Sequence, residues 1–453
     1  MTATLDPDRH YTVISADAHA GGDIPDYRPY LPRDRHAEFD AWAASYVNPY
    51  ADLLAPTAYR SWDSDRRLAE NEADGIAAEV IFPNTVPPFF EEGSLLALPP
   101  GPDDYDRRWA GLQAHNRWLA DFCAEVPGRR AGVAQIFAND MDDAVSEVRW
   151  AAANIRPSGG ILLPPIGPGS GLPGLWESYY EPLWEVCEEL GMVVNIHGGG
   201  GLPDYGDAEV ARAIMLVELP WFSHRSAWHL ILAGVLERHP GLHVVLTEQG
   251  LGWLPRGLET LDWFYGRMIM GGAAESSFFG AAAQGMSMTP SEYFARNFSV
   301  GASFLRASES AVRHEVGVER IMWGSDYPHS EGSYPYSLSP CGRRSGRATR
   351  SRPARCSRTT WRASTDSTSR RYVPSATGSV RRSPRSRPHW PSRTTRRTRP
   401  ATPSTATRSC VPGRSTAGWS ARSPEPVFGL PPAGFGPFHG VAAEAGVLAE
   451  EVR

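Results

Sequence analysis

The sequence predicts an α/β fold, a (β/α)8 barrel, on three observations. Eight apolar, β-branched runs recur along the first three quarters of the chain, helical patterns separate them, and several runs end on side chains suited to a metal. Strand, helix, strand at this spacing argues a parallel sheet. Eight near-continuous apolar strands argue that the sheet closes.

The runs are "YTVISADAH" (11–19), "AAEVIFPN" (77–84), "RRAGVAQIF" (129–137), "GGILLPP" (159–165), "GMVVNIHGG" (191–199), "LHVVLTEQG" (242–250), "NFSVGASF" (297–304) and "RIMWGSDYPH" (320–329). Between them, "AGLQAHNRWLADFCAEV", "DDAVSEVRWAAANI", "YEPLWEVCEEL", "SAWHLILAGVLERH" and "ASESAVRHEVGV" carry the 3.6-residue period of amphipathic helices. The eighth helix should follow residue 335 or so, where the composition breaks. The expected organisation is therefore a barrel over 1–337 that has lost its eighth helix, then a low-complexity basic tail over 338–453.

Charge sharpens that boundary. All 45 basic residues of the 453 are Arg, and Lys is absent. Residues 1–337 hold 23 Arg against 46 Asp and Glu, a balance of −23; residues 338–453 hold 22 Arg against 5, a balance of +17. The tail has no helical or strand period and too little apolar surface to fold alone, so it reads as disordered. A nucleic-acid-binding arm would explain the charge, but the stretch before residue 420 offers only Trp361, Tyr372, Trp390 and Trp419 for stacking. A shifted reading frame in a GC-rich gene explains it better, since such frames yield Arg, Pro, Ser, Thr and Ala. A basic nucleic-acid binder and an inactive barrel are the non-enzyme alternatives.

Composition excludes other classes. Without Lys there is no Walker-type phosphate lysine, no Schiff-base lysine and no carboxylated lysine bridging two metals. The absence of a signal segment or of about 18 consecutive apolar residues predicts a soluble, cytoplasmic protein with no membrane partner. Cys123 and Cys187 fall in helical patterns as core thiols, while Cys341, Cys356 and Cys410 are scattered, so no disulfide framework is expected.

In a barrel of this kind the C-terminal strand ends carry the chemistry. Here they read Asp17-Ala18-His19, Asn84, His197, Glu248 and Asp326. Residues i and i+2 of a strand share a face, so Asp17 and His19 project together into the barrel mouth. His197 precedes four glycines that let the backbone swing clear of a ligand. An Asp at the tip of an apolar strand is costly without a positive partner, and a divalent metal such as Zn2+ held by Asp17, His19, His197 and Asp326 supplies one. Taken singly, His197 could be a satisfied core histidine and Asp326 an Asx-turn residue before Tyr327-Pro328; four strand ends together are harder to dismiss. His329, three residues past Asp326, and His224, opening the helix before the sixth strand, are candidate substrate contacts with Asn84. Structural roles serve them as well.

Several motifs resemble one family. "ISADAH", "VIFPNTVPPFF", "VVNIHGGGG", "HLILAGVLERHPGLHVVLTE" and "MWGSDYPHSEG" are similar to segments of the amidohydrolase-related family, the group around 2-amino-3-carboxymuconate-6-semialdehyde decarboxylase, over roughly residues 10–336. The resemblance implies Asp17, His19, His197 and Asp326 as ligands of one catalytic metal, usually zinc, and a homodimer. At the sixth strand the family often carries a catalytic His, and this sequence has Glu248. The implied activity is a decarboxylase or hydrolase of a small organic acid, with a metal-bound water whose pKa falls from about 15.7 to about 7 and Asp326 or Glu248 as acid/base. Hydrolysis of an amide, ester or lactone is the alternative.

Overall fold

The computed structural model describes residues 12–337 apart from 95, 207, 271–279, 282 and 304. The expected loss of the eighth helix and the tail over 338–453 fall outside the described residues. Eight parallel strands form one sheet in sequence order: β1 (Val13–Ala20), β2 (Ile76–Pro83), β3 (Arg130–Gln135), β4 (Ser158–Leu162), β5 (Val194–His197), β6 (Val244–Thr247), β7 (Phe298–Ala302) and β8 (Ile321–Trp323). Each lies inside or across one of the eight apolar runs. β5, β6 and β7 are buried at every position, as strands covered on both faces must be.

Helices cover the outside of the sheet, and their starts follow local chemistry. Asp140 caps Met141–Asn154 by accepting from the amides of Asp142 and Asp143. Thr289 and Glu292 form a reciprocal capping box on Pro290–Asn297. Gly191, at φ 62, closes Glu181–Leu190 in the left-handed conformation that residues with a Cβ resist.

One helix departs from the expectation. The helix before β6 begins at Glu209 and runs to Leu232, so His224 lies within it rather than opening it. The sequence pattern was legible only after Pro220, because a proline removes one helical donor and normally ends the helix. Here the helix continues through it.

The barrel closes past the end of β8, not within it. The amide of Asp326 donates to the Asp17 carbonyl at 2.9 Å, and the amide of His19 donates to the Tyr327 carbonyl at 2.7 Å. The hydroxyls of Ser15 and Ser325 meet at 2.9 Å beside them. The seam therefore fixes the Asp17-Ala18-His19 triplet against Asp326. No helix among the described residues is long and apolar enough to cross a membrane.

Candidate metal centre

Alternation along β1 puts Asp17 and His19 on the barrel's inner face, and neither is exposed to solvent. Asp17 Oδ1 stands 3.3 Å from His19 Nε2 and 3.5 Å from His197 Nε2, and His19 Nε2 stands 3.1 Å from Asp326 Oδ1. The other ring nitrogens are engaged: His19 Nδ1 with the Pro83 carbonyl at 3.2 Å, His197 Nδ1 with the Gly198 carbonyl at 2.8 Å. A carbonyl only accepts, so both Nδ1 atoms carry the proton and each Nε2 lone pair faces the cluster.

The cluster contains buried polar atoms with no hydrogen-bond partner: Asp17 Oδ1, His19 Nε2, His197 Nε2 and Asp326 Oδ2. Orphans of this kind are rare in folded proteins. Four ligand atoms about 2.1 Å from a tetrahedral ion stand about 3.4 Å apart; the separations of Asp17 Oδ1 from the two Nε2 atoms, 3.3 and 3.5 Å, and of His19 Nε2 from Asp326 Oδ1, 3.1 Å, are close to that. Two imidazoles and two carboxylates suit a divalent cation. The residues present fit a single metal ion.

Electrostatics agree. Burial pushes the Asp17 pKa upward, but the His19 and His197 imidazoles 3.3 and 3.5 Å away outweigh it and hold the carboxyl well below the ordinary range. Burial likewise disfavours a charged His19, yet Asp17 and Asp326 raise its pKa well above the usual value. Two buried carboxylates thus demand positive charge between them.

Supporting contacts hold Asp17, Asp326 and the backbone of His19. Ser303 Oγ donates to Asp17 Oδ2 at 2.5 Å. His329 Nδ1 lies 2.9 Å from Asp326 Oδ1 and its Nε2 lies 3.0 Å from Asn84 Oδ1, while Asn84 Nδ2 donates to Ser61 Oγ at 2.9 Å. Asn84 and His329, both candidate substrate contacts, are therefore joined to each other and to Asp326. Arg67, fully buried in the helix Ser64–Ala73, donates to the His19 carbonyl at 2.7 Å and doubly to Glu79 at 2.7 and 2.8 Å. Its guanidinium also lies 4.8 Å from the centre of the Tyr327 ring. Asp326 and Glu248 both hold φ at 56, a conformation costly for a residue with a Cβ and concentrated at functional sites.

Glu248 sits 3.8 Å from His197 Nδ1. Burial raises its pKa to about 7, with His197 opposing and the charges of Asp17 and Asp326 assisting. His224 stands apart from the described ligand clusters: its Nε2 meets the Gln249 carbonyl at 2.8 Å and its ring stacks on Trp253 at 3.9 Å. Sequence reasoning missed Ser303 and Arg67. Ser303 directly follows β7 and was open to the same strand-end argument; nothing local marked Arg67.

The family model described as amidohydrolase matches residues 6–340. The chain belongs to the amidohydrolase family. Among curated amidohydrolase relatives, gamma-resorcylate decarboxylase of Rhizobium sp. is 24% identical over 277 residues, covering 58% of this chain and 76% of its own length. The 2-amino-3-carboxymuconate-6-semialdehyde decarboxylase of Dictyostelium discoideum is 27% identical over 281 residues, covering 60% and 68%. Among solved structures, 5-carboxyvanillate decarboxylase from Novosphingobium aromaticivorans, complexed with manganese and 4-hydroxy-3-methoxy-5-nitrobenzoic acid, aligns at a TM-score of 0.53 and 18% identity over 72% of this chain and 89% of that one. At that identity the structural likeness establishes the shared (β/α)8 barrel fold.

Proposed function

We propose that this chain is a metal-dependent decarboxylase of a small aromatic or unsaturated organic acid, with Glu248 as the proton donor. The observation that carries the reading is a largely buried carboxyl, Glu248, placed 3.8 Å from His197 Nδ1 and within ligand distance of Asp17 and Asp326. The decarboxylase relatives support the reaction class.

Asp17, His19, His197 and Asp326 would hold the metal. A divalent cation there supplies positive charge that orients the substrate's oxygens and offsets negative charge as it develops. The bond between the substrate carboxylate and its carbon breaks, CO2 leaves, and the electron pair stays on that carbon. Glu248 gives its proton to the same carbon and is reprotonated from solvent. His329, held between Asp326 and Asn84, orients the Asp326 carboxylate; Asn84, His329 and His224 are assigned to substrate positioning.

The test is CO2 release from a panel of hydroxybenzoates and unsaturated acids, with solvent deuterium traced into the product. Glu248→Gln should keep its metal and lose at least 100-fold in rate. Unchanged release from Glu248→Gln, or ester or lactone hydrolysis without CO2, would overturn the assignment.

Finer assignments follow from the same reading. Zinc is the proposed metal on donor chemistry, and elemental analysis returning manganese would replace it. A homodimer is supported by apolar side chains exposed on two helices: Val217 (78%) and Trp221 (54%) on Glu209–Leu232, Trp263 (58%) and Met270 (83%) on Leu254–Met270. Light scattering giving a monomer mass would refute it. Free thiols at Cys123 and Cys187 support a cytoplasmic setting. A barrel unit of 1–337 is supported by a family match that ends at residue 340; resequencing codons 330–345 tests whether 338–453 come from a shifted frame.

A further inference from the structure

A cavity lies where β3 and β4 end, and several polar atoms of its lining have no partner among the described residues. Val133, Phe82 and Leu162 cluster inside the barrel. Gln135, two residues beyond Val133, faces the same way. The Phe82 ring of that layer lies 4.9 Å from the His197 ring and 5.9 Å from the His19 ring, so Gln135 sits over the layer that flanks the two histidines. Its backbone is pinned by Asn116, which accepts from the Gln135 amide at 2.9 Å and donates to its carbonyl at 2.8 Å.

The Gln135 side chain is 2% exposed, yet neither Oε1 nor Nε2 has a hydrogen-bond partner among the described residues. Ser94 Oγ and Asn139 Oδ1, which line the same cavity, also lack partners. Its apolar walls include Phe90, Phe137 and Pro164. Leu162, Pro164 and Pro165 also line the neighbouring cavity that contains His197, so the two lie on a common wall. Leaving a buried primary amide without a protein partner is costly, and such groups are normally satisfied by a ligand or by water. No Arg or His is among the lining residues; Arg108 stacks on the wall rings Phe90 and Phe137, 4.3 and 5.7 Å from their centres, without lining the cavity, so a neutral group is favoured there over a carboxylate.

We infer that the Gln135 cavity is a specificity subsite for a neutral hydrogen-bonding substituent, a hydroxyl or carboxamide, on an unsaturated or aromatic monocarboxylic acid whose carboxylate lies at the metal centre. The inference rests on the proposed decarboxylase reading for that placement. A primary amide both donates and accepts, so it pairs with a hydroxyl in either sense and rejects an analogue that lacks one.

The test measures binding, not turnover. The metal-loaded full chain is titrated calorimetrically with benzoate, the three monohydroxybenzoates, isophthalate and terephthalate. At least one hydroxybenzoate should bind about tenfold more tightly than benzoate, and both diacids more weakly than that hydroxybenzoate. Gln135→Met should bring the preference below about twofold while leaving benzoate affinity and metal content unchanged, with Gln135→Leu as a second variant. Both variants should melt at or above the wild-type temperature, since two buried polar atoms without protein partners are removed. A preference that survives in Gln135→Met, tightest binding by a diacid, or no binding by any probe would overturn the subsite. Loss of the native near-UV spectrum in both variants would make Gln135 a structural residue and overturn it equally. Hydroxyl preference without CO2 release from any acid would leave the subsite standing and remove the decarboxylase reading.

Discussion

Replacing Arg67 by Met should cost more than any single change on the protein's surface, and the cost follows from the contacts. Arg67 gives Glu79 two charge-assisted bonds, at 2.7 and 2.8 Å, and gives the His19 carbonyl one at 2.7 Å. Met fills similar volume and supplies none of them. Glu79, 4% exposed, would keep only Asn71 Nδ2 at 3.0 Å and Arg130 Nε at 3.8 Å. Stranding one member of a buried ion pair costs about 3–5 kcal/mol, against a total stability of about 5–15 kcal/mol. At about 2 °C per kcal/mol for a domain of this size, the melting temperature should fall by about 6–10 °C. Circular dichroism melts and urea midpoints at pH 7 measure it. The double variant Arg67→Met/Glu79→Leu removes the stranded charge and should be less destabilised than Arg67→Met alone. A melting temperature within 2 °C of wild type, or costs that simply add in the double variant, would refute the account of Glu79 as a charge held by Arg67.

Other outcomes are expected. Gly324→Ala should destabilise the chain by about 1–3 kcal/mol and lower its metal content, because a Cβ there overlaps Asp17 Cβ and Ser303 Oγ; full metal loading on elemental analysis would contradict this. His197→Ala should sharply reduce bound metal with little change in the circular dichroism spectrum, and undiminished metal would make His197 a core residue only. Burial pushes the Glu79 pKa up, but Arg67 outweighs it and the value lies below the ordinary 4.5. The stability it contributes is therefore complete above about pH 4.5 and is lost as pH falls through the depressed value. Wild-type melting temperature should drop below pH 4.5 more steeply than that of the double variant, and equal slopes would count against the argument.

The strands were legible in the sequence because burial on both faces writes itself locally, as runs such as "VVNIH" and "HVVLT". The strand-end rule then located Asp17, His19, His197, Glu248 and Asp326 without coordinates. Helix limits were less legible: Pro220 hid the first half of Glu209–Leu232, since local propensity says stop where tertiary packing says continue. His224 lies in that helix, and its partners Gln249 and Trp253 come from beyond β6, a pairing no spacing rule encodes.

The sequence by itself determined the barrel and the donor types at its mouth, because both are properties of short segments. Only the tertiary structure decided which atoms are left without partners. The freedom of His19 Nε2 depends on Pro83, that of His197 Nε2 on the Gly198 carbonyl, and the unpaired amide of Gln135 on walls from four separate segments. The raised pKa of Glu248 is likewise a matter of burial and of charges brought from β1 and the end of β8. Desolvation and Coulomb interactions depend on distances in space, and those exist only once the barrel has closed through Asp17, His19, Asp326 and Tyr327.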